Sequence, residues 1–98
     1  MNGKKYNISM QTPIGRKQGT ITVTTSDVTI KGSLDVLGHS EPFEGVIDAD
    51  GICSIKGKIV TLLRTVHYTA TGRIDEKEVR LRVEAVKNTF EVIGEAVR

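Results

Sequence analysis

Residues 66–86 read VHYTATGRIDEKEVRLRVEAV, and apolar and polar side chains alternate on both sides of a short polar break. Strict alternation is typical of a β-strand with one buried and one solvated face. The break at Asp75-Glu76-Lys77 carries turn-forming residues. The stretch therefore predicts a β-hairpin with strands at 66–75 and 78–86.

The same pattern continues in both directions along the chain. Turn signals recur about every eight to twelve residues, as in all-β sandwiches and barrels. The most specific is Asp48-Ala49-Asp50-Gly51, because Asp bonds its own backbone and Gly accepts positive φ. Short connections join neighbouring strands as hairpins, which predicts an antiparallel meander. The eight predicted strands are 4–11, 16–25, 28–37, 42–48, 51–63, 66–75, 78–86 and 89–97.

Composition agrees with strands and excludes several classes of protein. Thirty-two of the 98 residues are Ile, Val or Thr, and nine are Leu or Ala. β-Branched residues suit a pleated sheet and lose side-chain freedom in helices. A single Cys excludes an intrachain disulfide, and no apolar run has the length of a transmembrane helix or signal peptide. We expect one cytoplasmic domain over 1–98, with no membrane partner.

Alternation also assigns an inward face, and small residues recur on it. A pattern of apolar residues around an inward Gly occurs at Gly32, Gly57, Gly72 and Gly94. An inward Gly lets a strand bend and coil, as a small barrel requires. The predicted inward apolar residues are Tyr6, Ile8, Met10, Ile21, Val23, Val28, Ile30, Leu34, Val36, Phe43, Ile47, Cys53, Ile55, Ile59, Val66, Tyr68, Ala70, Ile74, Val79, Leu81, Val83, Ala85, Phe90, Val92 and Ala96.

A weak repeat relates the halves of the chain at an offset of 49 residues, with Leu34-Asp35-Val36-Leu37 matching Val83-Glu84-Ala85-Val86. This predicts two four-strand half-repeats, about 1–49 and 50–98. An even number of meandering strands brings the last strand antiparallel to the first and removes both edges. We therefore predict a small closed barrel. The alternatives are an open curled sheet and a two-sheet sandwich.

Short motifs in the chain resemble a group of small bacterial all-β domains. They are Thr12-Pro13-Ile14-Gly15, Gly32-Ser33-Leu34 and Pro42-Phe43-Glu44-Gly45, which match Thr-Pro-x-Gly, Gly-x-Leu and Pro-Phe-x-Gly. The second half departs from this pattern, since Thr61-Leu62-Leu63-Arg64 stands where another Thr-Pro-x-Gly turn is expected. The group is calycin-like, some similar domains are attached to flavin-dependent oxidoreductases, and the resemblance implies a fold without catalytic residues.

No catalytic or metal-binding constellation is identifiable. Cys53 is predicted to face inward, where a Cys is usually an inert hydrophobe. His39-Ser40-Glu41 offers two possible ligands, fewer than a zinc site requires. We therefore expect no cofactor, no metal and no enzymatic activity. The lack of Trp argues against nucleic-acid binding, since no outward aromatic residue is available to stack on bases.

Outward basic residues of the second half form a predicted cationic strip. Turn-based registers place Lys56 opposite Arg73 and Arg73 opposite Arg80, with Glu44 beside Lys56 and Glu95 beside Arg80. The chain carries 14 basic and 12 acidic residues, and the excess lies in the second half. Arg is enriched at interfaces. The candidate basic residues are Lys56, Lys58, Arg73, Arg80 and Arg82.

Outward apolar residues lie in the same half, and we include Val60, Leu62 and Ile93 in the candidate surface. The favoured function is a non-enzymatic structural or interaction domain that works through an outer strand face. It would act as a homodimer or as the partner of a larger enzyme. The alternative is a binding module whose barrel takes a small hydrophobic ligand.

Overall fold

The computed structural model describes residues 2–12, 15–36, 38–60, 65–85 and 88–97. They form eight strands and no helix. The strands are β1 (Asn2–Thr12), β2 (Gly15–Ser26), β3 (Thr29–Val36), β4 (His39–Ile47), β5 (Ile52–Val60), β6 (Thr65–Ile74), β7 (Glu78–Ala85) and β8 (Thr89–Ala96). No helix in these ranges is long and apolar enough to cross a membrane.

The strands close into an up-and-down antiparallel barrel. Each strand pairs with the next, and β1 pairs with β8 from Tyr6↔Ala96 to Met10↔Val92. The predicted meander and its closure are therefore confirmed. Every strand therefore has a paired neighbour on both sides, although the β4–β5 ladder ends at Phe43↔Gly57, short of the start of β4 and the end of β5.

The core lies on the inward face of every strand. All 16 buried hydrophobic residues belong to the predicted inward set, and no buried polar or charged residue occurs among the described residues. Val28 is the exception in that set, because its side chain is 61% exposed. It lies with Asp27 in the two-residue turn between β2 and β3, and Asp27 takes the positive φ of 60° that this turn requires.

Most strand boundaries differ from the sequence prediction by one or two residues, and two of the differences have a clear physical basis. β3 begins at Thr29 because Val28 belongs to the turn. β4 begins at His39 rather than at Pro42, so the residues read as a long Gly- and Pro-containing turn belong to a strand. Ser33 pairs with Pro42 in the ladder of β3 and β4. A proline is therefore accommodated inside this strand rather than at its first residue.

Carboxylates organise the turns that could be read from sequence. Asp48 Oδ1 accepts hydrogen bonds from the backbone N–H of Asp50 at 2.8 Å and of Ile52 at 3.1 Å. Gly51 follows with a φ of 85°. Asp75 Oδ1 likewise accepts from the N–H groups of Lys77 and Glu78. These bonds lower the pKa of the Asp75 carboxyl, since they stabilise its charged form.

Candidate functional site

A groove of about 970 Å³ lies on the outer face of the barrel. It crosses β3 to β7, and most of its surface is apolar. The register places its outward residues in two rows across the strands. The first row runs Lys31, Glu44, Lys56, Thr69 and Glu84, each paired with the next.

The second row of the groove contains the pair Lys58↔His67 and, on β4, Pro42. Gly32 and Gly57 form part of the wall beneath the rows. We call this surface the outer groove, and it is defined by these two rows and two glycines. Lys31, Lys56 and Lys58 make no ion pair with a carboxylate of the described ranges. Three basic side chains thus line the groove without an ion pair, although Glu44 is the direct cross-strand neighbour of Lys31 and Lys56.

The floor of the outer groove is supported by aromatic rings of the core. A Cβ added at Gly57 would lie 2.6 Å from Tyr68 Oη, and one added at Gly32 would lie 2.7 Å from Phe43 Cζ. Both rings are buried, and the backbone oxygen of Thr22 lies still closer to the Cβ position of Gly32, so the space under the glycines is filled. Burial raises the pKa of Tyr68 to about 12, and the charge of Glu41 adds to this effect.

At the far end of the barrel the other tyrosine, Tyr6, connects two elements by a hydrogen bond. Tyr6 Oη donates a hydrogen bond of 2.6 Å to the backbone oxygen of Asp75, in the turn between β6 and β7. Its ring therefore reaches across the interior from β1. Burial raises the pKa of Tyr6, and the negative charges of Asp75 and Glu76 act in the same direction.

A second, smaller hollow of about 260 Å³ lies on the outer face of β6 to β8. It is lined by Thr71, Arg80, Arg82, Glu91 and Ile93, with Gly72 and Leu81 of the inward face beneath. Arg73 pairs directly with Arg80, as predicted. We call the surface formed by Arg73, Arg80 and Arg82 the arginine face.

Each arginine of the arginine face forms an ion pair with a carboxylate of its own chain. Nε of Arg73 lies 3.9 Å from Asp75 Oδ2, and Nε of Arg80 lies 3.4 Å from Glu78 Oε1. The third pair joins Arg82 Nε and Glu84 Oε1 at 3.9 Å. All these side chains are exposed, so each pair contributes little to stability. Their main consequence is that the arginine charges are largely compensated within the chain.

The predicted cationic strip is therefore divided into two surfaces. Lys56 pairs with Thr69 rather than Arg73, and Arg73 pairs instead with Ile52. The predicted neighbour of Arg80 was Glu95, whereas the observed one is Ile93. The predicted contact of Glu44 with Lys56 is confirmed.

Ile93, the one predicted apolar residue whose side chain is described, lies apart from the groove lysines. Ile93 is 50% exposed and borders the small hollow. The Val60 side chain and the whole of Leu62 lie outside the described residues. Sequence reasoning missed Lys31, His67 and Glu84 as part of one site. The signal that identifies them is the cross-strand row, which becomes visible only with the correct register.

The remaining reactive groups have an inert environment. Cys53 is buried on the inward face as predicted, and burial with the charge of Asp48 raises its pKa to about 11. The protonated thiol is a poor nucleophile and a poor metal ligand. The described residues contain no group of three or more His, Cys, Asp or Glu side chains arranged to hold a metal ion.

Comparison with known proteins adds no relative. No protein-family model, no curated protein and no solved structure matches this chain. What is established is a small all-β domain built as an eight-stranded closed barrel, and its membership of a calycin-like group stays a prediction.

Proposed function

We propose that this protein is a non-enzymatic interaction domain that docks a protein partner in the outer groove. The observation that carries the proposal is a concave, mostly apolar surface of about 970 Å³ bordered by three lysines without ion pairs. Concave apolar surfaces with a few polar groups are the usual form of a binding site. The lysines keep their charge available for a partner.

The shape of the outer groove favours a different protein over a second copy of the chain. A two-fold dimer brings the same patch of both copies together. Two concave faces cannot fill each other, so the groove requires a convex or extended partner. A larger enzyme that carries this domain as an accessory subunit would satisfy this requirement.

The docking proposal is tested by site-specific photo-crosslinking in cells that express the protein. A photoreactive amino acid replaces His67 in the groove or, as the control, Thr22 on the outer face of β2. We expect one defined protein to be captured at position 67 and not at position 22. Equal capture at both positions, or none at position 67, would overturn the proposal.

The homo-oligomer version uses the arginine face instead of the groove. Exposed Ile52 and Ile93 flank Arg73 and Arg80 in one row across β5 to β8. Sedimentation of the wild type against an R80E/R82E double variant tests this version. A wild type that is monomeric at high concentration removes it.

The alternative function, a barrel that binds a small hydrophobic ligand, receives less support from the packing. The rings of Tyr6, Phe43 and Tyr68 are buried inside the barrel. A hydrophobic fluorescent probe that binds without loss of folded structure would favour the interior ligand.

We also propose that the chain belongs to the calycin-like group of small bacterial domains and works in the cytoplasm. The proposal rests on the motifs at residues 12–15, 32–34 and 42–45. A solved structure of a group member that superposes on all eight strands in the same order would support it. A different strand order would remove it.

A further inference from the structure

We infer that the occupant of the outer groove is an extended peptide segment of the partner, with an acidic side chain above Lys56 and Lys58. This inference rests on the proposed function and names the chemistry of the partner. It follows from the dimensions of the groove, its charge pattern and the closure of the barrel.

The groove has the dimensions of a short extended peptide. It crosses five strands, from β3 to β7. Adjacent strands lie about 4.8 Å apart, so the groove is roughly 19 Å long across the sheet. An extended chain rises about 3.3 Å per residue, so about six residues span this length. A single small carboxylate would fill a minor part of it.

The charge pattern of the groove is centred on β5. Lys56 and Lys58 stand two residues apart on this strand, and both line the groove. The cross-strand partners of these lysines on β6 are Thr69 and His67, and neither carries a carboxylate. Glu44 lies on the adjacent strand β4 opposite Lys56, and Glu84 lies two strands away on β7. The two lysines of β5 are therefore the largest concentration of positive charge in the groove, with a carboxylate on each side and Lys31 at the β3 end.

A complementary peptide carries the reverse pattern. An Asp or Glu at its centre meets the paired lysine charges and relieves their mutual repulsion. A basic residue next to this acidic residue meets Glu44, and one placed towards β7 meets Glu84. Apolar side chains between these charges cover the apolar surface of the groove.

The closed barrel dictates how such a peptide is held. Every strand is already paired on both sides. Along the ladders that are formed, a peptide therefore cannot join the sheet as an additional strand, which is the usual way in which an open edge captures one. The β4–β5 ladder ends at Phe43↔Gly57 and does not extend to Pro42 and Lys58. Over the paired part of the groove recognition comes from side chains, so the two lysines determine specificity and the apolar surface supplies contact area.

The experiment uses phage-displayed random peptides of about nine residues, enough to span the groove with short flanks. The intact protein is the bait. Selected peptides are then synthesised and their binding is measured on the wild type and on two double variants. The groove variant is K56E/K58E, and the control K5E/R16E makes the same charge change on the outer face of β1 and β2.

We expect the selected peptides to be enriched in a central Asp or Glu. Their affinity should fall by at least about tenfold on K56E/K58E, which corresponds to about 1.4 kcal/mol, and should be unchanged on the control. A K56Q/K58Q variant repeats the test if the charge reversal impairs folding. Circular dichroism monitors the fold of each variant.

Four results would overturn the inference, and three of them come from the selection and the variants. They are an empty selection, selected peptides without acidic enrichment, and equal loss of affinity on the groove and control variants. Binding of N-acetylglutamate amide as tight as that of the peptides would also overturn it, since the site would then recognise a lone carboxylate. The photo-crosslinking at position 67 distinguishes these failures from failure of the docking proposal itself, because a folded partner would still be captured there.

Discussion

The outer groove and the arginine face are both hollows over an inward glycine, yet what lies beneath each glycine differs. Under Gly57 the neighbour is the hydroxyl end of the Tyr68 ring, whereas under Gly72 it is the backbone of Arg80 and Leu81. Their charges differ too, since the lysines of the groove lack ion pairs and the arginines have them. The arginines are paired with carboxylates of their own chain, whereas among the described residues the groove lysines have only Glu44 as an acidic cross-strand neighbour and form no ion pair.

The largest expected effect concerns the glycine of the arginine face. A Cβ at Gly72 would overlap the backbone oxygen of Arg80 and lie 2.9 Å from Leu81 Cα. We expect Gly72→Val to lower the free energy of unfolding by about 1–3 kcal/mol, because backbone cannot move aside as a side chain can. Urea denaturation measures this loss.

The matched control for Gly72→Val is Thr71→Val on the outer face. Thr71 is exposed, so its replacement should change the free energy of unfolding by less than about 0.5 kcal/mol. Equal losses at positions 71 and 72 would contradict the assignment of inner and outer faces.

A smaller loss in the free energy of unfolding is expected from Gly57→Ala, and this variant tests the difference between the two glycine sites directly. The added methyl group meets the end of the Tyr68 ring, which can shift, so we expect a loss of about 1 kcal/mol. Gly72→Ala should cost more. Gly3→Ala serves as the control, because its Cβ would lie 3.9 Å from Thr24 Oγ1, an ordinary contact. A greater loss for Gly57→Ala than for Gly72→Ala would break the comparison.

The buried Tyr68 ring beneath the groove should also make the free energy of unfolding depend on pH in the alkaline range. The pKa of Tyr68 is raised in the folded state from 10.0 to about 12, so the unfolded chain releases this proton first. The contribution is present below pH 10 and is lost as the pH rises towards 12. Urea denaturation across this range should show a shallower loss for Tyr68→Phe than for the wild type.

The buried thiol is the control in the alkaline experiment. Cys53 has its pKa raised from 9.0 to about 11, so it contributes a loss of the same sign at lower pH. The loss of stability that comes from Cys53 persists in Tyr68→Phe and disappears in Cys53→Ala. Identical pH profiles for the wild type and Tyr68→Phe would show that the hydroxyl is not desolvated in the folded protein.

The smallest effects are expected at the charged side chains. Arg82→Gln removes an exposed ion pair and should cost less than about 0.5 kcal/mol. Lys58→Gln should be neutral or slightly stabilising, because it removes one of two like charges that stand two residues apart on β5. A loss above about 1 kcal/mol for Lys58→Gln in urea denaturation would make the lysine structural and would contradict its role as a docking residue.

The fold could be predicted from the sequence because the face on which a side chain lies depends only on whether its position in the strand is odd or even. Every residue of the observed buried core was predicted to point inward, since alternation survives an error in the position of a turn. Moving the centre of a hairpin by one residue changes each cross-strand partner by two positions and leaves each side chain on its original face.

The candidate site was less accessible for the same reason. The predicted turn between β5 and β6 lay at Leu63-Arg64-Thr65, whereas Val60 and Thr65 form the last observed pair. That displacement gives Lys56 the partner Thr69 instead of Arg73. A surface site depends on which residues are opposite, and short turn signals do not determine that to the residue. The face of Val28 was predicted wrongly for a similar reason. The turn between β2 and β3 begins one residue later than the Thr25-Ser26-Asp27 signal suggests, so Val28 belongs to the turn.

The pairing of β1 with β8 has a consequence for how the chain folds. Tyr6 and Ala96 are neighbours in the ladder, although they lie near opposite ends of the 98-residue sequence. Hairpins between consecutive strands can form locally, but this last seam must wait until β8 has left the ribosome. Until then β1 exposes an unpaired row of backbone groups and is vulnerable to aggregation. Closing so long a loop costs more conformational entropy than forming a local hairpin, so we expect completion of the barrel to be the slow step of folding.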